Sequence, residues 1–494
     1  MSELRRQEPD LAQPRSGGKA DILIFALVQM LLLSIAVLLP LFPNDFFPYV
    51  RIGEEILSTG KFPVSEFMTY TQFGQPAVYL YWLPSILFYK IYLAGGVTLT
   101  SLFSALCVGI FITELWFCLR EVKAGALTSA LALILTGLVG VNYWATRPQL
   151  LTYPLFGLAL LIVLRWQKRD ERLIWLLPIL ALLWANLHGS FIVLFFLLAP
   201  AILFGSGNRK KLLLATLLSL AATLVNRYGL ELWRGMLSMV NSESIRAFSV
   251  EWEPPVKEGW QANLFYALLL AIPVLTALFK SRINLLYWVW FLGFGWMALS
   301  TVRYGVWFLP VEALFLGMIV SPFIARHLEG KNRFQNLAMN RLLGVFLLLF
   351  PLALLPGLRA TWWQMAPPVY SDTTPTAATA WLKENPHLPD NLWSDFTFST
   401  YLAWALPERK LFMTNRFEDF PPRQFIENDH IANADHDWQI LLDRYQVNLI
   451  MPSKEYQPDL IKAAADSPNW RMVYEDEQTA LFERVDPVGL ETLP

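Results

Sequence analysis

Cysteine is almost absent: in 494 residues only Cys107 and Cys118 are cysteine. They share one apolar segment about three helical turns apart, well beyond disulfide reach. No disulfide framework holds this chain, and cysteine says nothing about its compartment. Charge is scarce as well, at 16% of residues, and the two signs cancel to a net of −1 without a basic domain or long charge run. That balance excludes a nucleic-acid partner. Also missing are a P-loop, a G-x-G-x-x-G after a strand, an HExxH and any Cys/His cluster at metal-ligand spacing. Soluble nucleotide chemistry therefore has no support. No metal ligand is assigned, and the cofactor stays unknown with a divalent metal left open. Internal repeats and low-complexity tracts are lacking too.

What the chain has in excess is apolar residues, 55% of the total, with a mean hydropathy of +0.40. A soluble protein of this length does not carry so much, so the composition predicts a polytopic α-helical membrane protein. Apolar runs at 21–43, 98–119, 127–143, 150–166, 173–187, 191–205, 212–225, 262–279, 285–300, 304–323 and 342–358 give about eleven transmembrane helices. The first has no small-residue cleavage site after its apolar core and reads as a retained helix. Residues 1–20 are polar and basic and belong in the cytoplasm. The basic connectors Arg120/Lys123, Lys168/Arg169/Arg172, Arg209/Lys210/Lys211, Lys280/Arg282 and Arg326 through Arg341 then all fall on the cytoplasmic side. This agreement requires 79–93, with Pro84, to be an interfacial helix.

An odd number of crossings places everything after 358 outside. Three parts result: a cytoplasmic tail (1–20), a transmembrane domain (21–358) whose first outer loop is 44–97, and a C-terminal extracytoplasmic α/β domain (359–494). In the last, 376–384, 398–406, 438–445 and 457–465 pattern as helices. Short strands are expected at 410–414, 448–451, 471–475 and 480–484, the last two forming a hairpin.

The first outer loop gathers carboxylates among aromatic residues. Asp45, just past the first crossing and partly desolvated by Phe42, Phe46 and Phe47, is placed to act as a general base for an acceptor hydroxyl or amine, or else caps a helix end. Glu54 and Glu55 sit in an amphipathic helix, 49–58, where one of them faces solvent. Glu66 is a second acid of the site or an ordinary loop charge. Arginines on the outer side break the positive-inside pattern and stand out for that reason: Arg147 in YWATRPQLL, Arg227 in VNRYG and Arg303 in STVRYGVW. Each alone reads as a snorkelling or ion-paired residue; together with the loop carboxylates they would hold a phosphate or pyrophosphate. His188, in WANLHGSF, faces the same side but has no second histidine at ligand spacing, which favours a hydrogen-bonded structural role. Tyr228 follows Arg227 where one helix closes and a long loop opens. In that loop, the EWEPP segment offers Glu251 and Trp252 to a sugar or lipid head group, or stiffens the loop. Glu114 falls in the last turn of the second crossing.

These segments resemble the GT-C superfamily of membrane glycosyltransferases, in particular bacterial proteins similar to protein O-mannosyltransferases and aminoarabinose transferases. The resemblance is carried by Asp45 after the first crossing, FFPYVRIGEEILSTGKFPVSEFMTYTQFG followed by YWL, RPQLLTYP, WANLHGSF and the terminal STYLAWALPERKLFMTNRFEDFP. It implies transfer of a sugar from a polyprenyl-phosphate-linked donor to a glycan, lipid or protein acceptor, at the outer face of a bacterial cytoplasmic membrane. Asp45 would be the base, Glu66 a second acid, and one or more of Arg147, Arg227 and Arg303 would bind the donor phosphate. Phe47-Pro48-Tyr49 stands where relatives carry a His, Glu66 where they carry Asp, and Tyr81 where they carry Glu. The alternative is a catalytically degenerate GT-C scaffold or subunit that binds lipid or membrane-protein partners. A lipid-glycan transporter would need charges within the spans, and the spans hold few.

Overall fold

The structure, a computed structural model, describes residues 20–256, 258–327, 336–363, 370–371 and 374–486. The basic tail with Arg5, Arg6, Arg15 and Lys19, and part of the connector between Arg326 and Arg341, lie outside the described residues.

Each of the eleven apolar runs is helical over most of its length. The elements up to residue 362 are α1 (Asp21–Leu38), α2 (Pro43–Thr59), α3 (Trp82–Glu121), α4 (Ala126–Gly140), α5 (Tyr153–Gln167), α6 (Leu177–Leu187), α7 (Ile192–Phe204), α8 (Arg209–Ala222), α9 (Glu231–Asn241), α10 (Glu243–Phe248), α11 (Gly259–Leu278), α12 (Leu285–Ser300), α13 (Gly305–His327), α14 (Leu337–Leu349) and α15 (Pro356–Trp362). Among the described residues, seven helical stretches are long and apolar enough to cross a membrane, and 172–187, 189–204 and 285–300 form shorter apolar ones. The protein is a multi-pass membrane protein.

Two departures from the expected boundaries shape the site. The interfacial helix expected at 79–93 and the crossing after it are one long element, α3, bent at Gly95 and Gly96. Gly96 has φ 55 and ψ −147, a conformation essentially closed to residues with a Cβ, so the bend is written in the sequence. Further, α2 begins at Pro43, six residues before the amphipathic stretch. Pro43 stands in its first turn, where a missing N–H costs nothing and a fixed φ suits the helix. Asp45 therefore lies in a helical first turn. Gly60, at φ 65, ends α2 in the left-handed region.

Close approach fixes α2 against α3. A Cβ on Gly53 would stand 2.1 Å from the Ser85 carbonyl oxygen, so only glycine fits there. Gly157 plays a similar part deeper in the bundle: its bare face on α5 accommodates Glu114, whose Oε2 would lie 2.5 Å from a Cβ at that position. Glu114 sits about two turns before the end of α3, inside the bundle and not in the last turn as expected.

The C-terminal region contains α16 (Thr376–Glu384), β1 (Leu392–Ser394), α17 (Phe396–Ala405), α18 (Pro422–Ala432), α19 (Trp438–Arg444), β2 (Leu449–Met451), α20 (Pro458–Asp466), β3 (Trp470–Glu475) and β4 (Ala480–Arg484). The sheet order is β1-β2-β4-β3, with β1 parallel to β2 and the other pairs antiparallel. β3 and β4 form a hairpin. The strand expected at 410–414 shrinks to bridges made by Leu411, which lies between Thr69 and Leu392. Its N–H donates to the Met68 carbonyl (3.2 Å) and its carbonyl accepts from the Tyr70 N–H (3.0 Å). The α2–α3 loop has thus taken the place of a neighbouring strand.

Three further contacts seat this region on the helices. Phe47 of α2 stacks on Trp404 of α17, centroids 4.6 Å apart. Pro48 has no N–H to give the Asn44 carbonyl, and that freed carbonyl accepts from the Asn415 side chain at 2.6 Å. The Asn44 side chain in turn accepts from the Thr400 hydroxyl at 2.8 Å. The residue beside Asp45 is therefore held from the C-terminal side.

Candidate active site

Asp45, Arg147, Glu251 and Arg303 come from four separate segments and meet at the edge of one cavity. The first turn of α2 presents Asp45. Arg147 precedes the turn 148–152, its extended backbone turned into a short helix by Pro148. Glu251 sits in the turn Val250–Trp252 and Arg303 in the turn Val302–Tyr304, which opens α13. The last two are fastened together: the Val302 N–H donates to the Glu253 carbonyl at 2.8 Å.

Arg147 lies 3.6 Å from an Asp45 carboxylate oxygen and hydrogen-bonds one oxygen of Glu251. Arg303 donates to the other Glu251 oxygen at 3.0 Å. The Arg147 side chain is nine-tenths buried, and its Nε has no hydrogen-bond partner. Burial raises the Asp45 carboxyl above its usual value; Arg147 opposes this and Glu251 adds to it. For Glu251, burial acts upward, but the Arg303 and Arg147 guanidiniums outweigh it and hold the carboxyl low. Glu251 is therefore firmly ionised, while Asp45 is the more basic of the two carboxylates.

The cavity, about 450 Å³, is lined by these four together with Asn44, Tyr49, Tyr81, His188 and Trp252. Its far wall comes from Phe396, Asn415, Arg416, Phe417 and Glu418 of the C-terminal region. Arg416 is fixed by Asp419 (2.5 Å) and the Val78 carbonyl (3.1 Å), and pairs with Glu418 at 3.4 Å. Burial raises the Glu418 carboxyl despite Arg416. A second cavity, about 330 Å³, lies between α4, α11 and α13 and shares Arg147, Glu251 and Arg303 with the first. Its other walls include Val139, Val256, Phe265, Ala298 and Leu309.

The remaining sequence candidates have other surroundings. His188 lines the first cavity, stacks on Tyr81 at 5.0 Å, and accepts from the Ser190 N–H at Nδ1 (3.0 Å). Burial, then Arg303 and Arg147, push its imidazole well below 6.5, so it is neutral with its proton on Nε2. Trp252 lines the same cavity, its ring 5.9 Å from the Arg303 guanidinium carbon. Glu66 is buried away from it and accepts from the Met68 N–H (2.7 Å), the Thr69 N–H (2.9 Å) and the Thr69 hydroxyl (2.7 Å). It folds its own loop and does not reach Asp45's cavity. Glu54 and Glu55 both pair with Arg51, at 3.5 and 3.2 Å. Arg227 lies over the Phe62 ring at 4.0 Å, outside the cavity lining, and Tyr228 donates to the Tyr79 carbonyl at 2.9 Å.

Asn415, Arg416 and Glu418 were not singled out by residue chemistry. Their signal was the TNRFEDFP string, which carried part of the family resemblance without a role for its individual residues. Among the described residues no group of three His, Cys, Asp or Glu side chains is placed to hold a metal ion. Chemically, the four-residue cluster offers a carboxylate base beside a guanidinium pair able to bind an anion through several charge-assisted hydrogen bonds.

No family model matches the chain, and no curated protein matches it. Solved structures do. The oligosaccharyltransferase of Archaeoglobus fulgidus, tethered through a disulfide to an acceptor peptide with the NVT sequon, is 13% identical over 96% of this chain and 75% of its own, with a TM-score of 0.59. Its apo form matches at 12% identity, 89% and 70% coverage, and a TM-score of 0.55. Arabinofuranosyltransferase AftD from mycobacteria is 12% identical, with 96% of this chain and 40% of that one covered and a TM-score of 0.59. At such identities the likeness is one of fold, and the fold is that of the GT-C glycosyltransferases.

Proposed function

We propose that this protein is a GT-C-type glycosyltransferase that moves a sugar from a polyprenyl-phosphate-linked donor to an acceptor at the outer face of a bacterial cytoplasmic membrane. In this reading the N-terminus is cytoplasmic and the C-terminal α/β region extracytoplasmic. One observation carries it: Asp45, the cavity carboxylate with raised basicity, stands against Arg147 and, through Glu251, Arg303, where a polar cavity adjoins an apolar-walled one. The polar cavity suits a sugar and an acceptor group. The apolar-walled one suits the first isoprene units of a lipid tail, with the shared arginines at the phosphate between them.

The chemistry follows from that layout. Asp45 takes the proton of the acceptor hydroxyl or amine as its heteroatom bonds to the anomeric carbon. The bond from that carbon to the phosphate oxygen breaks, and Arg147 and Arg303 stabilise the charge gathering on the leaving phosphate. Attack opposite the leaving group inverts the anomeric centre. Asn415, Arg416 and Glu418 border the space where the acceptor enters, which gives the C-terminal region a role in positioning it. The fold neighbours support the reaction class: one is an oligosaccharyltransferase seen with an acceptor peptide, another an arabinofuranosyltransferase. A non-catalytic scaffold does not require Asp45 and two of the three arginines to converge.

The test is transfer of labelled sugar from a panel of polyprenyl-phosphate donors by purified protein, wild type against Asp45→Asn. Turnover that disappears in the variant while donor binding persists supports the reading. Absence of turnover in both, across donors and added divalent metals and with the fold intact, defeats it in favour of the scaffold.

A further inference from the structure

The Arg147–Arg303 pair already holds an anion. Glu251 gives one oxygen to each guanidinium, the arrangement in which a phosphate bridges two arginines. Charge counting shows the consequence. Asp45 and Glu251 contribute two negative charges, Arg147 and Arg303 two positive ones, and the set is neutral as it stands. Nearby cations are committed elsewhere: Arg416 to Asp419 and Glu418, Arg227 to the Phe62 ring. A phosphate entering beside Glu251 would bring uncompensated charge into a partly desolvated cluster, which is unfavourable.

We infer that Glu251 is a resident stand-in for the donor phosphate: a displaceable carboxylate that occupies the arginine pair and thereby sets the affinity of the donor site. This rests on the phosphate-binding reading above. Three features fit displacement. Glu251 is the least buried of the bridging set, with 41% of its side chain exposed against 9% for Arg147 and 24% for Arg303. It lies on the wall common to both cavities, so a side chain that swings aside joins them. The backbone around it stays tied while the side chain moves: the Glu253 carbonyl accepts from Val302, the Pro255 carbonyl from the Tyr266 hydroxyl at 2.6 Å. On the other side Phe248 stacks on Phe425 of α18, centroids 4.9 Å apart, which links this turn to the C-terminal region.

A residue that merely positions the arginines makes the opposite prediction, because removing it would loosen them and weaken binding. The experiment is the affinity of full-length protein in lipid nanodiscs for a C55 polyprenyl phosphate, measured for wild type, Glu251→Gln, Glu251→Asp and the double variant Arg147→Ala/Arg303→Ala. With Glu251 as the occupant, Glu251→Gln binds roughly tenfold tighter or more, equivalent to about 1.4 kcal/mol. Glu251→Asp keeps the charge but is too short to span both guanidiniums, so it binds tighter than wild type by less than Glu251→Gln and covers the case in which the Gln variant misfolds. Equal or weaker binding by both Glu251 variants, with wild-type binding still lost in the double arginine variant, overturns the stand-in role and leaves the phosphate site standing. Binding that is indifferent to the arginines overturns both.

Discussion

The first turn of α2 and the loop before Tyr79 each hold a carboxylate in the segment between α1 and α3, and the two carboxylates have opposite fates. Glu66 accepts three hydrogen bonds from neutral donors two and three residues away. Its charge is spent on shaping the loop that pairs with Leu411. Asp45 has no such local donors; its charged neighbour is Arg147, at 3.6 Å, across a cavity edge. The two acids differ in depth, Glu66 being 2% exposed and the Asp45 side chain 31%, and in the source of their hydrogen bonds. Donors from its own loop fix a carboxylate in place. A mobile or distant partner leaves it free to take a proton.

The largest effect that would break this contrast concerns turnover. Asp45→Asn is expected to lower the transfer rate by roughly 10²–10⁴-fold, the range of a lost general base, with little change in thermal stability. Folding even gains slightly at neutral pH. The folded-state pKa of Asp45 is raised, so its ionised form costs stability as pH rises through that value, and asparagine removes the cost. Glu66→Ala behaves the other way. It strands buried donors at about 1–3 kcal/mol each, so the melting temperature falls clearly while turnover per folded molecule holds. Melting curves and initial rates on the same preparations check both.

Next comes the pH profile. Asp45 must be ionised to act, so kcat/KM falls toward acid with a limb above the ordinary aspartate range. Arg147 lowers this pKa and Glu251 raises it. Removing Glu251 therefore moves the limb down and replacing Arg147 with Met moves it up. A limb that stays put in both variants detaches it from Asp45.

Much of the architecture was legible because membrane burial writes in runs: every apolar run is helical over most of its length, and the Gly95–Gly96 pair marks the bend in α3. Arg147 and Arg303 stood out because, in the topology expected from the basic connectors, they are arginines that break a charge rule. Arg227 violates the same rule yet rests on Phe62, since the rule reports the side of a charge and not its partner. Glu418 and Arg416 were missed for a related reason. Their position depends on Asn415 reaching the carbonyl that Pro48 frees, more than 300 residues away in the chain, and no local pattern encodes that meeting. Leu411 shows the same limit: the strand pattern was right for Leu411 itself, but one of its two partners, Thr69, came from the α2–α3 loop.

A packing change tests how the site's frame is held. Gly53→Ala puts a methyl where the Ser85 carbonyl stands, and α2 must shift against α3. The expected loss is about 1–3 kcal/mol, with Asp45 displaced and turnover reduced, whereas the loop around Glu66, tied to Leu411, keeps its protection from hydrogen exchange.

The smallest effect lies at Glu54 and Glu55, which carry the third and fourth acids of this segment. Both pair with one residue, Arg51, and each keeps about a third or a quarter of its side chain in solvent, 34% and 27%. Exposed ion pairs contribute about 0.2–1 kcal/mol, and here each glutamate covers for the other. Glu54→Gln or Glu55→Gln alone should shift stability by less than about 0.5 kcal/mol and leave turnover unchanged. The double variant costs more than the sum of the two, because Arg51, with only 14% of its side chain exposed and its guanidinium 5.0 Å from the Phe67 ring, then loses both partners. A double-mutant cycle on melting temperature reads that coupling directly. A turnover loss in either single variant would mean that this pair, and not the cavity at Asp45, carries the reactive acid.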